Sequence, residues 1–329
     1  EFDELKLRFV SIAQRTAAET RLSCQAVWPS SRGVEASCSV LKAYEGTWML
    51  HQVAKLRGAP RSAGASQTLG RAPHVLREIY LRSFEHAQAD PGLRWAISFV
   101  EASVPWMQRS HMAFAERYEA TEMAMALPFR LMEAVCADRD PSLLGRYDIG
   151  LTTSTERMRL LSVIAQSRPT PYIEALDLVP SRFHLVGAVR EWGAAKLERS
   201  RSVVVARRGG HPVAAALLET GEMGTNLFRL LDSVRLFALT PDGMTGFPAL
   251  LEWARGWYAE RGRESFTYFC EDMHDETHAR VARMRDLGEG RFWAVAADLL
   301  PEFLEYVFEL TAHPPVFSVP AGRVVAPRA

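Results

Sequence analysis

Val234-Arg-Leu-Phe-Ala-Leu239 runs into a Gly/Pro loop, Thr240-Pro-Asp-Gly-Met-Thr-Gly246. The loop opens Phe247-Pro-Ala-Leu-Leu-Glu-Trp-Ala-Arg-Gly-Trp-Tyr258, and Ser265-Phe-Thr-Tyr-Phe269 follows. This reads as strand, loop, helix, strand, with a further helix expected over Thr277 to Leu287. The same order occurs about 170 residues earlier, as a repeat would place it. There Trp48-Met-Leu-His-Gln-Val-Ala54 precedes a Gly-rich loop, then Val75 to Glu85, Leu93 to Val100, and Trp106 to Tyr118. The residues barely match; the order does. A strand feeding a Gly loop that opens a helix can aim backbone N–H groups at an anionic ligand. Two copies point to a ligand-binding fold that has doubled.

Composition sets the frame. The 329 residues are enough for two domains of ordinary size. Hydrophobic residues make up 48% and charged residues 24%, as in a soluble globular chain. Lys plus Arg equals Asp plus Glu at 39 each, which argues against a general nucleic-acid binder with a basic face. Cys24, Cys38, Cys136 and Cys270 lack C-x-x-C spacing, so zinc and a disulfide framework are not expected. Cys24 and Cys38 fall in neighbouring expected strands and read as apolar thiols. Thiol usage and the lack of an apolar run long enough to span a bilayer fit a cytoplasmic protein. The opening Glu1-Phe2 reads as the start of a piece of a longer protein, with a partner or upstream domain beyond it.

Along the chain, Leu5 to Ile12 alternates like a half-buried strand, and Arg21 to Trp28 and Val34 to Leu41 follow as strands. Arg57 to Pro73 is Gly-, Ala-, Ser- and Pro-rich. Glu122 to Cys136 reads as strand-like, and the polar stretch Ala137 to Ser142 marks a boundary. Beyond it come a strand at Tyr147 to Leu151, helices at Ser154 to Gln166 and Phe183 to Arg199, and a hairpin across Gly209-Gly210. Leu299 to Leu310 closes as an amphipathic helix. The expected organisation is one unit over 1–140, a second over 141–312, and a Pro-rich tail over 313–329.

The hairpin Val203-Val-Val-Ala-Arg-Arg-Gly-Gly-His-Pro-Val-Ala-Ala-Ala-Leu-Leu-Glu219 and the close Met284-Arg-Asp-Leu-Gly288 before Phe292 and Trp293 resemble the GNAT acyltransferase superfamily. Gly262 after the central helix fits too. The resemblance implies an α+β fold of two tandem GNAT-like domains, each a twisted mixed sheet flanked by helices. It also implies an acyl-CoA-dependent N-acyltransferase that uses acetyl-CoA or another acyl-CoA and a small-molecule or peptide amine acceptor. The family's pyrophosphate loop, Q/R-x-x-G-x-G/A, is matched by Gln67-Thr-Leu-Gly70-Arg-Ala72, so the resemblance makes Gln67, Gly70 and Ala72 the cofactor-binding residues. Arg61 to Ser66 is a near miss. The second loop lacks the pattern, and Asp242 sets a negative charge where phosphates would lie. At most one site, in the first half, is expected to work.

By the same resemblance Tyr118 is the candidate general acid and Glu219, with Glu222 near it, the candidate base. Each has a plainer reading: Tyr118 as a core tyrosine, the glutamates as surface charges. His274 and His278 stand i, i+4 among carboxylates, which reads first as a solvated helix start; no metal is expected. Trp253, Trp257, Tyr258, Phe266, Tyr268 and Phe269 read as core. Arg199, Arg201, Arg207 and Arg208 read as a solvated hairpin face. The competing functional reading is a non-catalytic sensing or protein-interaction module that kept the fold and lost the chemistry.

Overall fold

The computed structural model describes residues 2–17, 19–30, 33–55, 75–225, 229–271 and 277–312. The first half comprises α1 (Phe2–Ala17), β1 (Ser23–Ser30), β2 (Gly33–Tyr44), β3 (Thr47–Lys55), α2 (Val75–Gln88), β4 (Trp95–Glu101), α3 (Pro105–Met107), α4 (Ala113–Tyr118) and β5 (Ala124–Val135). A π-helical turn, Gln108–Met112, joins α3 to α4. The second half comprises β6 (Asp148–Leu151), α5 (Ser154–Ser167), α6 (Thr170–Ala175), α7 (Val186–Ala194), β7 (Arg199–Arg208), β8 (His211–Gly221) and β9 (Ser233–Ala238). It continues with α8 (Phe247–Ala259), β10 (Ser265–Cys270), α9 (Thr277–Val281), β11 (Arg285–Ala296) and α10 (Leu300–Ala312). This is the mixed α+β fold expected, with β3, α2, β4 in one half answering β9, α8, β10 in the other.

The eleven strands of the described residues form a single sheet, in the order β1-β2-β3-β4-β11-β5-β10-β9-β8-β7-β6. The order is nearly a palindrome about the β11–β5 pair. The two central strands are exchanged. The last strand of the second half, β11, pairs antiparallel with β4 from Gly290↔Glu101 to Ala296↔Trp95. The last strand of the first half, β5, pairs antiparallel with β10 from Ser265↔Val135 to Cys270↔Arg130. Each half therefore completes its sheet with a strand from the other.

The two faces of the sheet are buried differently. On one, α2, the α3–α4 helix and α10 cover the first half, and Trp48, Tyr80, Phe84, Phe114, Trp293 and Phe303 fill the space between. On the same side of the second half α8 packs Phe247, Leu250, Ala254 and Tyr258 against β7, β8 and β10. The opposite face carries α5, α6 and α7 and a core shared by both halves, including Phe129, Tyr172, Trp192, Phe269 and Phe292. Among the described residues, the first half has the single helix α1 before β1, where the second half has α5, α6 and α7 before β7.

Several expectations are corrected. Leu5 to Ile12 belongs to helix α1, because Ile12 and Thr16 are buried with Phe9 partly covered while Leu7, in step with the strand alternation, is 68% exposed. Phe183 to Arg199 is not one helix. Only Val186–Ala194 is helical, Leu185 holds a left-handed backbone before it, and Arg199 already starts β7. Helix α9 ends at Val281, and Leu287-Gly288 lies inside β11 at a register shift between Asp286 and Gly288. The four cysteines are thiols, and Cys38 sits opposite Ala26, not Cys24.

Candidate functional site

Two places in the sheet bring parallel strands side by side, and both part company along their length. β3 and β4 pair from Thr47↔Trp95 to Leu50↔Ser98 and then separate. β9 and β10 pair only at Thr267↔Ser233 and Tyr268↔Val234. Parallel strands must pair through evenly spaced, slanted bonds, so a bulge in one strand ends the ladder. β3 has that bulge. Its register against β2 slips between Ser37↔Ala54 and Ser39↔His51, and Gln52 takes a left-handed φ of 54°. β9 has none, its register against β8 being unbroken from Glu219↔Ser233 to Ala214↔Ala238.

The first opening leads into a cleft of about 600 Å³. Leu50, His51, Gln52 and Val53 form one wall, with Ser98, Phe99, Val100 and Glu101 beside them. Phe129, Leu131 and Glu133 of β5 lie across from Leu287, Gly288, Glu289 and Gly290 of β11. Ser98 Oγ donates to the Leu50 carbonyl at 3.2 Å, close to where the strands part. His51 is buried, and burial pushes its imidazole down to about 4, so the ring is neutral at physiological pH. Glu133 accepts from Ser265 Oγ at 2.8 Å and pairs with Arg285 at 2.5 Å.

The second opening is filled. Arg235 of β9 enters it, with its guanidinium 4.5 Å from the centre of the Phe269 ring and 3.5 Å from Glu271. Glu271 also accepts from Tyr172 Oη at 2.7 Å and from Arg168 Nε at 3.0 Å. The loop after β9 is closed as well. Gly243 lies so near β8 that a Cβ there would meet the Val213 carbonyl oxygen at 2.2 Å. Asp242 pairs with Arg208.

The proposed site residues fall in different places. Gln67, Gly70 and Ala72, and the near miss Arg61 to Ser66, lie outside the described residues, in the segment from Lys55 of β3 to Val75 of α2. His274 and the tail 313–329 also lie outside them; His278 is buried against Tyr268 Oη at 2.7 Å. Tyr118 ends α4 with its ring 4.8 Å from Phe114, and its hydroxyl donates to Glu302 of α10. That bond raises the Tyr118 pKa, and the residue is not among those lining the cleft.

Glu219 is fully buried. Arg199 and Arg201 each donate to it at 2.6 Å, and Tyr44 Oη donates at 2.9 Å. Burial alone would raise its carboxyl, but Arg201, Arg199 and Arg235 outweigh it and hold it well below the usual carboxylate range. Both oxygens are occupied, so Glu219 has the geometry of a counter-ion. Glu222 accepts from the Glu198 N–H at 3.0 Å and from Arg15 at 3.3 Å.

This corrects the reading of Arg199 and Arg201 as a solvated face: they are buried beneath α7 and the turn before it. Arg201 donates to the carbonyls of Leu176, Asp177 and Phe183 at 2.6, 2.9 and 3.1 Å. The signal was present in the period-two pattern, since Arg199 and Arg201 share a strand face with Val203 and Val205, and Arg201 pairs with Glu219. His51, Gln52 and the glycines of β11 were missed; a bulge and a partner strand from the far end of the chain leave no local pattern.

No family model and no curated protein matches this chain. Among solved structures, a GCN5-related N-acetyltransferase from Sphaerobacter thermophilus is similar over 82% of this chain and 79% of its own, at 12% identity and a TM-score of 0.42. A tandem GNAT protein from the clavulanic acid biosynthesis pathway is similar over 90% and 95%, at 13% identity and 0.42. A GCN5-related N-acetyltransferase from Kribbella flavida covers 90% and 97%, at 13% identity and 0.43. These are likenesses of fold.

Proposed function

We propose that the chain is an acyl-CoA-dependent N-acyltransferase with one working site, the cleft where β3 and β4 part. The observation that carries this reading is the asymmetry of the two openings: one is bulged and leads into a cleft of about 600 Å³, the other is unbulged and filled by Arg235 and Glu271. A cleft of that size suits a small ligand. The facing edges of two strands that have ceased to pair with each other suit the amides of an extended pantetheine arm, as in strand addition. Gln67, Gly70 and Ala72 then cradle the pyrophosphate. Their segment leaves β3 just past Val53, which lines the cleft, and returns at the start of α2, where helix N–H groups favour an anion.

In the reaction the amine nitrogen bonds to the thioester carbonyl carbon, the C–S bond breaks, the ammonium loses a proton and the thiolate gains one. The peptide turned at Gln52 is the group we assign to polarise the carbonyl. Tyr118 as acid would first have to leave Glu302, and Glu219 as base would have to leave two arginines. Catalysis on this reading comes chiefly from positioning.

Calorimetric and thermal-shift titration with CoA and acetyl-CoA tests it. A ligand that binds only the folded state stabilises it by about 2.7 kcal/mol at a hundredfold excess over Kd. The expected result is a clear shift that Gly70→Trp removes. No shift with either ligand, or a shift that Gly70→Trp leaves intact, sinks the assignment. The locked state of Glu219 favours a second reading, a binding module without turnover; acetyl-CoA binding with no acyl transfer to any amine would select it.

A further inference from the structure

The two outer edges of the sheet differ. At one, β6 is only four residues long, Asp148–Leu151. Asp148 pairs there with Arg207 at 3.7 Å, and the Arg207 guanidinium lies 3.6 Å from where a Cβ on Gly150 would stand. A short edge with charge on it resists pairing with another chain. At the other edge, β1 runs for eight residues, Ser23-Cys-Gln-Ala-Val-Trp-Pro-Ser30, none of them charged. Among the described residues it pairs only with β2. Pro29, which has no N–H, sits at a register shift and closes the far end. From Ser23 to Trp28 every second residue turns its N–H and C=O outward.

The side chains beside this edge are apolar and exposed. Cys24, Ala26 and Trp28 pack on the α2 face of the sheet, so Gln25 and Val27 stand on the opposite face, where α1 lies. Val27 is 48% exposed there. α1 buries Ile12 and Thr16. Its Val10 and Ala13, one turn apart, line a cavity of about 270 Å³ together with Ser23 and Gln25 of β1. Both are therefore on the flank of the helix nearest the edge. Ala13 is exposed, and Val10 is 45% exposed.

We propose that β1 is the edge through which two copies of this chain pair, antiparallel across a two-fold axis perpendicular to the sheet. Such an axis keeps each face of the sheet on its own side and matches one patch with its own copy. The α1 helix of the second copy then lies on the same face as this one, and Val27, Val10 and Ala13 are covered by the like flank of the other molecule. A lone extended peptide would use the same backbone groups, but it would leave that flank bare. A strand that meets itself sets like residues near like, which disfavours charge on it; β1 carries none. The contact is independent of the transferase reading. It reaches the cleft all the same. His51 and Gln52 line both the cleft and the cavity beneath α1, so a copy docked on β1 braces the helix against the wall of the site.

Sedimentation velocity of the full chain, from micromolar to a hundred micromolar, tests this together with amide hydrogen exchange. The expected result is twice the mass of the chain at the upper concentrations, with the amides of Ser23 to Trp28 exchanging more slowly there than on dilution. Val27→Lys sets like charges near each other across the axis and is expected to weaken the dimer at least tenfold. Val10→Glu, on the flank of α1, is expected to weaken it at least threefold. Leu151→Lys, on the β6 edge, is expected to leave it unchanged. All three positions are exposed, and circular dichroism with the thermal midpoint checks that each variant folds. Should Val27→Lys fail that check, Val10→Glu and the exchange data decide. The mass of one chain at every concentration overturns the proposal. So does a dimer unmoved by Val27→Lys, a dimer broken by Leu151→Lys instead, or exchange at Ser23 to Trp28 that does not change with concentration.

Discussion

The two parallel-strand openings start from the same order of elements and end in opposite states. At β3–β4 a bulge at Gln52 ends the ladder and the gap opens into the cleft. At β9–β10 the ladder ends after two pairs, and a buried arginine, a glutamate and a tyrosine occupy the gap. A strand gap in a sheet core must be filled by ligand, by water or by side chains whose polar groups are paired, because a buried unpaired group is costly. The second half uses its own side chains. The difference is also why the first half needs so few buried charges: its gap is an access route, not a core.

Taking the halves apart gives the largest effect. A chain ending at residue 140 leaves β4 and β5 without β11 between them, so it is expected to lose cooperative thermal unfolding by circular dichroism; a sharp transition would show that the first half closes its sheet alone. Next come the buried charges of the second half. Removing one partner of a buried ion pair costs about 3–5 kcal/mol, and Glu219→Gln and Glu271→Gln are expected in that range by urea unfolding. Glu101→Gln at the cleft rim is expected within about 0.5 kcal/mol. Equal losses at the two openings would erase the contrast.

The pH dependence sharpens it. His51 at the cleft wall titrates in the folded state at about 4, against about 6.5 when unfolded. Between those values the unfolded chain binds the extra proton, so stability falls as pH falls, by up to about 1.4 kcal/mol per pH unit for this group. Urea unfolding from pH 7 to pH 4 is expected to lose part of its slope in His51→Gln; an unchanged slope would place the proton uptake elsewhere. Glu219 acts later: its depressed carboxyl contributes in full above about pH 4.3 and is lost only as pH falls below that. A small effect is expected at the bulge as well. Gln52→Gly relieves a left-handed backbone while adding unfolded-state freedom, so the net change is expected within about 1 kcal/mol.

Much of the fold was legible because much of it is local. The β7–β8 hairpin turns at Gly209 and Gly210, both with positive φ. Helix α5 begins at a capping box in which Thr153 and Glu156 bond reciprocally, and burial pushes Trp257, Tyr258, Phe266, Tyr268 and Phe269 into the core as their spacing implied. The failures share a cause. Leu5 to Ile12 satisfies a period of two over a few residues, and only the later Ile12 and Thr16 reveal a helical face. Arg199, Arg201 and Glu219 look like surface charge until the register sets them opposite each other. The site was less legible than the fold, because its walls come from β3, β4, β5 and β11, and no short stretch contains that set.

The exchanged strand also sets a clock. β4 is complete at residue 101, and the strand that fills the slot beside it does not begin until residue 285. At about 5–20 residues per second, a ribosome needs on the order of ten seconds or more to bridge that interval. Until β10 and β11 are made, one edge of β4 and both edges of β5 have no partner, the kind of surface on which chains aggregate. Pairing across so long a separation also slows folding after release. The molecule is therefore finished from its far end, and the walls of the cleft at β3–β4 are completed by the last strand to be made.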